Sequence, residues 1–195
     1  MFRLIQKVFS KIKNMHKRNI WKRLGNIYFD NSLYFFPETQ LYALPNGSIR
    51  IGSYSCIRGN LEVQRDGGFI EIGERCYIGD GTRIWAADRI AIGNNVLIAH
   101  NCNIFDNDTH PIDYLERRKD AENIIWHGVR DNFSTLRSIE IQIGNDVWIG
   151  ANVSIMKGVT IGDRSIVGSG SVVTDSFPDD VVVVGNPARI VKYLK

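Results

Sequence analysis

The chain has 195 residues, 44% of them hydrophobic and 23% charged, with a formal net charge of +3. That is enough for one sizeable domain and too little for two. No apolar run approaches the ~18 residues of a membrane span. The basic amino terminus lacks the apolar stretch and cleavage site of a signal peptide, so the expected compartment is the cytoplasm. Three cysteines, Cys56, Cys76 and Cys102, show no CxxC or metal-type spacing and argue against a disulfide framework.

The charge is unevenly spread. Residues 1–30 hold eight Lys or Arg and one acid, whereas the remainder holds sixteen basic and twenty acidic residues. A nucleic-acid-binding domain would carry its basic charge on the folded body beside aromatic platforms, a pattern absent here, so no nucleic-acid partner is expected.

Residues 1–24 place Phe2, Ile5, Phe9, Ile12 and Met15 at helical spacing, with Lys7, Lys11, Lys17 and Lys22 largely off that stripe. This basic amphipathic leader can lie on an anionic membrane surface, giving peripheral contact at its inner face, or pack on the body or a partner subunit. It is expected to be dispensable for the fold. Residues 25–48, with Pro37, Pro45 and Asn46-Gly47 as breakers, read as an irregular connector.

From about Ile49 a period of six takes over. β-branched residues open successive hexads at Ile143, Ile149, Ile155, Ile161, Val167 and Val173. Glycine follows in four, at Gly144, Gly150, Gly162 and Gly168, and the fifth position holds Val147, Val153, Val159, Ser165 and Ser171. The same frame runs through Ile72, Ile78, Ile84 and through Ile92, Ile98, Ile104, with a weaker start at Ile51 and Ile57. Six fits neither an α-helix nor an alternating strand. It fits a short strand, a corner and a repeat, three sides closing a coil of about 18 residues. The fold class is all-β, a parallel β-helix over residues 49–174 with roughly five coils. Cys76 and Cys102 fall on inward fifth positions and read as small core residues.

The repeat breaks once, over residues 106–138, and resumes in frame. Long excursions of this kind from a compact fold tend to carry function. Its run Glu116-Arg117-Arg118-Lys119-Asp120 reads as a solvated face. Residues 175–195 form a carboxy-terminal extension.

Three stretches in order carry a resemblance: Asp108-Thr109-His110-Pro111-Ile112-Asp113, Asn145-Asp146-Val147-Trp148-Ile149-Gly150, and Val184-Gly185-Asn186-Pro187-Ala188-Arg189. Over residues 49–195 the chain resembles the hexapeptide-repeat sugar O-acetyltransferases, which include galactoside and maltose acetyltransferases and polysaccharide-modifying enzymes. The resemblance, not the spacing, implies left-handed coils, a homotrimer with sites between subunits, acetyl-CoA as co-substrate and a sugar acceptor. It implies that His110 is the general base. It also implies a pantetheine arm beside Trp148, Ala151, Ser169 and Thr174, with Arg189 and Lys192 toward the nucleotide phosphates. Lys192 stands where the family often has arginine, keeping charge and losing bidentate geometry.

A neutral imidazole suits deprotonation of a sugar hydroxyl at cellular pH. Asp106 and Asp108 are near enough in sequence to orient it, or to serve as turn residues. Trp126 offers an apolar surface for a sugar face, and Asp113, Glu116, Arg130 and Asn132 offer polar groups for hydroxyls. His100 reads as structural. With no cysteine placed as a nucleophile, direct transfer is expected, without a metal. The alternatives are a xenobiotic or nucleotide-sugar N-acyltransferase, a non-catalytic scaffold, and a zinc lyase of the γ-carbonic anhydrase type, which needs three converging histidines.

Overall fold

The computed structural model describes residues 16–128 and 136–194. The chain winds into three-sided coils of short strands. The first coil holds β1 (Ile27–Tyr28), β2 (Tyr34–Phe35) and β3 (Gln40–Ala43). The second holds β4 (Ser48–Ile51), β5 (Cys56–Ile57) and β6 (Asn60–Val63), and the third β7 (Phe69–Ile72), β8 (Tyr77–Ile78) and β9 (Arg83–Ala86). The fourth holds β10 (Arg89–Ile92), β11 (Leu97–Ile98) and β12 (Asn103–Phe105). After the excursion come β13 (Ile141–Ile143), β14 (Trp148–Ile149) and β15 (Ser154–Ile155), then β16 (Thr160–Ile161), β17 (Ile166–Val167) and β18 (Val172–Val173).

Every third strand stacks in parallel register, which makes three sheets. We call the sheet of β1 sheet A, that of β2 sheet B and that of β3 sheet C. The hexad-opening side chains point inward: Ile57, Ile78, Ile84, Ile98, Ile104 and Ile149 are all 0% exposed, each contributing about 1.5–3 kcal/mol of burial. The fifth-position Cys76, Val96, Cys102, Val147 and Val153 close the same core. The coils approach so closely at the corner between A and B that a Cβ on Gly93 would lie 2.7 Å from the Gly144 carbonyl oxygen, which explains glycine after the inward isoleucine.

Two sequence expectations are corrected. Residues 25–48 are not an irregular connector, because they form the complete first coil, with Ile27, Leu33, Phe35, Leu41 and Ala43 buried in the common core. The excursion is not only loop, since it contains a 14-residue helix. Of the placements open to the leader, its described part takes the one packed on the body. Residues 16–24 are helical (α1) and cap the open end of the first coil. Lys17 Nζ donates to the carbonyls of Pro37 (2.7 Å) and Thr39 (2.8 Å), and Arg18 to those of Leu33 and Asp30 (both 2.9 Å). Trp21, 6% exposed, packs edge-on against Phe35 with ring centroids 5.1 Å apart. Its cations satisfy backbone acceptors that have no further coil to meet. Residues 1–15, with Phe2, Ile5, Phe9, Ile12 and Met15, lie outside the described residues, as do Arg130 and Asn132.

Beyond Thr174 the solenoid continues. Phe177 bridges to Ile161 of sheet A, and β19 (Val181–Gly185) extends sheet B. The antiparallel β20 (Ala188–Tyr193) then ends that sheet.

Candidate active site

The excursion departs where a carboxylate replaces a core side chain. In the first three coils the second inward place of sheet C holds Ala43, Val63 and Ala86, in register with one another. The next residue in that column is Asp106, 0% exposed. One of its oxygens accepts from the Ala87 N–H (2.7 Å) and Asn107 Nδ2 (3.0 Å), the other from the Asp88 N–H (2.7 Å). Burial pushes this carboxyl upward from its ordinary range, and the three donors oppose that push.

The excursion leaves and returns through a narrow neck. The Ile139 N–H donates to the Asp106 carbonyl (2.8 Å), the Asp108 N–H to Arg137 (3.2 Å), and Asn107 pairs with Ser138 in an antiparallel bridge. The Asp108 carboxylate pairs with Lys157, which follows β15 one coil on. Asn107 Oδ1 accepts the Thr109 N–H (2.8 Å), and Thr109 sits at φ 58°, a value a β-branched residue adopts only when held.

His110 follows. The helix α2 (Tyr114–His127) then starts on Asp113, whose carboxylate accepts from the N–H groups of Leu115 and Glu116 (2.9 and 3.0 Å). It ends on Gly128 at φ 65°. Arg117 ties the helix to its lead-in through the carbonyls of Pro111 and Ile112. Asp120, on the inner side of the helix, meets His110 Nδ1 at 2.6 Å. A carboxylate can only accept, so Nδ1 carries the proton. Nε2 is left as a lone-pair nitrogen without a partner among the described residues, on a side chain 42% exposed. Asp106 and Asp108, the two acids considered from sequence as orienting groups, are both engaged elsewhere.

Three sides mean three corners. His110 and its neck project from the corner between sheets C and A. Trp148 lies outward on sheet B, 53% exposed, in register between Leu97 and Ile166, on the face opposite that corner. Ala151 and Ser169 occupy the corner between B and C, where the Ala151 N–H donates to Ser169 Oγ (3.1 Å). Thr174 and Arg189 converge on one Asp175 oxygen (3.1 and 2.9 Å), and Lys192 lies on β20 opposite Val182. Thr174 and Asp175 follow β18 at the corner between C and A, two coils past the neck, and Arg189 reaches that corner, whereas one copy of the chain keeps Trp148, Ala151 and Ser169 away from His110. In the excursion, Asp113 is spent as a helix cap and Trp126 is 78% exposed. No residue of α2 is buried, and Ile112, Leu115 and Ile125 are exposed beside Trp126.

Burial pushes the thiols of Cys56, Cys76 and Cys102 up from their ordinary range, which disfavours a thiolate nucleophile. His100 stands at the corner between B and C, so it does not converge with His110. Among the described residues no three His, Cys, Asp or Glu are grouped to hold a metal ion. No helix among them is long and apolar enough to cross a membrane.

Residues 140–175 match the family pattern described as bacterial transferase hexapeptide (six repeats). A putative lipopolysaccharide biosynthesis O-acetyl transferase of Escherichia coli is 30% identical over 152 residues, covering 77% of this chain and 74% of that protein. The chain belongs to the hexapeptide-repeat acetyltransferase family. With that family comes the left-handed β-helix. The galactoside O-acetyltransferase of E. coli is 39% identical over 126 residues, 65% of this chain. The match spans only 55% of that enzyme's length. A hexapeptide-repeat acetyltransferase of Vibrio cholerae, solved with acetyl coenzyme A, superposes with a TM-score of 0.59 at 27% identity, over 93% of this chain and 78% of that one.

Asp120 and Lys157 were missed as site elements from sequence. Asp120 lies in the charge run read as a solvated face. The one signal within reach was the acid two residues past Ile104, where Val63 and Ala86 stand two residues past Leu61 and Ile84.

Proposed function

We propose that the chain transfers an acetyl group from acetyl-CoA to a saccharide hydroxyl, with His110 as general base. The observation that carries this reading is the Asp120–His110 pair, which presents Nε2 as a base beside an exposed excursion. The hydroxyl oxygen attacks the thioester carbonyl as Nε2 takes its proton. A C–O bond forms, the C–S bond breaks, and the proton passes to the departing thiolate. Asp120 fixes the tautomer and stabilises the transient imidazolium.

The donor fits residues of sheet B and its corner with C, with Arg189 reaching the corner between C and A. Trp148 supplies an exposed apolar wall, Ala151 and Ser169 a corner of close-set backbone, and Arg189 and Lys192 positive charge. Sheet B and the excursion's corner point in opposite directions, so a complete site combines His110 of one copy with Trp148 of the next. A closed three-fold ring does this at every interface. Two surfaces favour it: the outward column Tyr34, Cys56, Tyr77, Leu97, Trp148, Ile166, Val182 along sheet B, and α2 with its exposed apolar residues. In this reading Trp126 serves the acceptor or the neighbouring copy. The proposed setting is the modification of cell-surface saccharides in the cytoplasm, favoured by the lipopolysaccharide assignment of the relative above.

A screen of saccharides with acetyl-CoA, read as release of free coenzyme A thiol, tests the reading. A saccharide-dependent release that disappears in His110→Ala is expected. Release that is independent of every saccharide, or that survives in His110→Ala, overturns it.

A further inference from the structure

We infer that Asp106 is a positioning residue for His110, acting through the backbone of residues 107–109. The inference rests on the reading of His110 as the base and adds what holds it in place. Nothing in the coil itself requires an acid at this point, since Ala43, Val63 and Ala86 fill the same column in the three preceding coils. Burying a carboxylate costs several kcal/mol unless it is fully hydrogen-bonded. An acid therefore appears in the column only where the chain must leave the solenoid.

What it does there follows from its partners. Its two oxygens grip the N–H groups of Ala87 and Asp88, one each, on the rigid coil above. The oxygen that takes Ala87 also takes Asn107 Nδ2, whose Oδ1 in turn accepts the Thr109 N–H. That chain of bonds fixes Thr109 at φ 58° one residue before His110. The Asp106 carbonyl also receives the Ile139 N–H, so the same residue closes the neck. His110 is thus held twice, its main chain by Asp106 and its ring by Asp120. Without the first hold, the second has no fixed starting point, because α2 buries none of its own residues.

The test needs no acceptor. In the full-length protein, NMR of the four histidines, assigned with His110→Ala, reports whether the His110 Nδ1 proton is protected from exchange by Asp120. The wild-type protein is expected to show that protected proton. Asp106→Asn, nearly isosteric, is expected to lose it. Ser165→Ala removes another buried polar group, which bonds to Pro178 and Val181 two coils away, and is expected to keep the signal even where its melting temperature falls. Asn107→Ala breaks the same network at its outer end, and decides the matter if Asp106→Asn folds poorly. Retention of the protected proton in Asp106→Asn or, failing that variant, in Asn107→Ala overturns the inference. So does its equal loss in Ser165→Ala, or its absence in the wild type. The base assignment stands or falls separately, on turnover by His110→Ala.

Discussion

Asp120 holds His110 Nδ1 at 2.6 Å across ten residues of sequence, from a helix that buries none of its residues. The contact sets which ring nitrogen is left without a proton. In Asp120→Asn the carboxamide can donate to Nδ1 and drive the proton to Nε2, leaving no lone pair toward a substrate. Turnover is expected to fall by ~10²–10⁴, about as far as in His110→Ala, with coenzyme A affinity and oligomeric state unchanged. Steady-state kinetics beside size-exclusion chromatography checks this. Turnover of Asp120→Asn within a few-fold of wild type would falsify the pairing as a catalytic one.

The solenoid was legible from residue 49 onward because each coil repeats one demand: an inward β-branched residue every six positions, with small residues where backbones touch. The first coil escaped because it meets the same demand with Leu33, Phe35, Leu41 and Ala43 in place of Ile-Gly hexads, and because Pro37 and Pro45 sit in its corners, where a proline breaks nothing. Helix α2 escaped because it has no apolar stripe to read. His110 was legible through its motif. Its partner was not, since a charged residue in a run of charges looks the same whether it faces water or an imidazole.

The capping helix α1 argues against the expectation that residues 1–24 can be removed freely. Trp21→Ala empties a largely buried indole site against Phe35 and Phe29, and a loss of about 3–5 kcal/mol is expected. Deletion of residues 1–24 is expected to lower the melting temperature clearly and to expose the first coil to proteolysis. Denaturant unfolding of both variants measures the effect. A deletion variant as stable as the full chain would show that the cap is dispensable.

Arg189 and Thr174 share one Asp175 carboxylate oxygen, and the ion pair is largely exposed (63% and 59% for its side chains). A coenzyme phosphate would have to compete with Asp175 for the guanidinium. Asp175→Ala is therefore expected to tighten coenzyme A binding several-fold. Arg189→Ala should weaken coenzyme A more than 3′-dephospho-coenzyme A. Calorimetric titration separates the two ligands, and equal losses would mean that Arg189 meets no 3′-phosphate.

Asp106 also leaves a signature in stability. Burial raises its folded value above that of the unfolded chain, so across that window the native state binds more protons than the unfolded state. Its contribution therefore falls as pH rises from about 4 through the raised value, and the cost is fully present above it. Asp106→Asn has no such proton. The stability of the wild type relative to Asp106→Asn is expected to decline with rising pH over this range. Urea unfolding of both proteins at a series of pH values measures it, and a difference that grows with pH would mean that the three donors outweigh burial.

The opposed positions of His110 and Trp148 on the prism make the strongest demand on the proposed function. If each site joins the base of one copy to the donor wall of the next, two inactive variants should repair each other. His110→Ala keeps an intact Trp148, and Trp148→Ala keeps an intact His110. Each assembled alone has no complete site. Mixed under conditions that let subunits exchange, a ring of three places an intact His110 against an intact Trp148 at about one quarter of its interfaces when the variants are equimolar. Recovered activity should approach that share of wild type, rise with the time allowed for exchange, and vanish if the rings are cross-linked before mixing. A mixture no more active than its parts would place base and donor wall in the same copy. Trp148 would then have no part in the reaction at His110, and the donor groove would have to be sought along sheets C and A beside the neck.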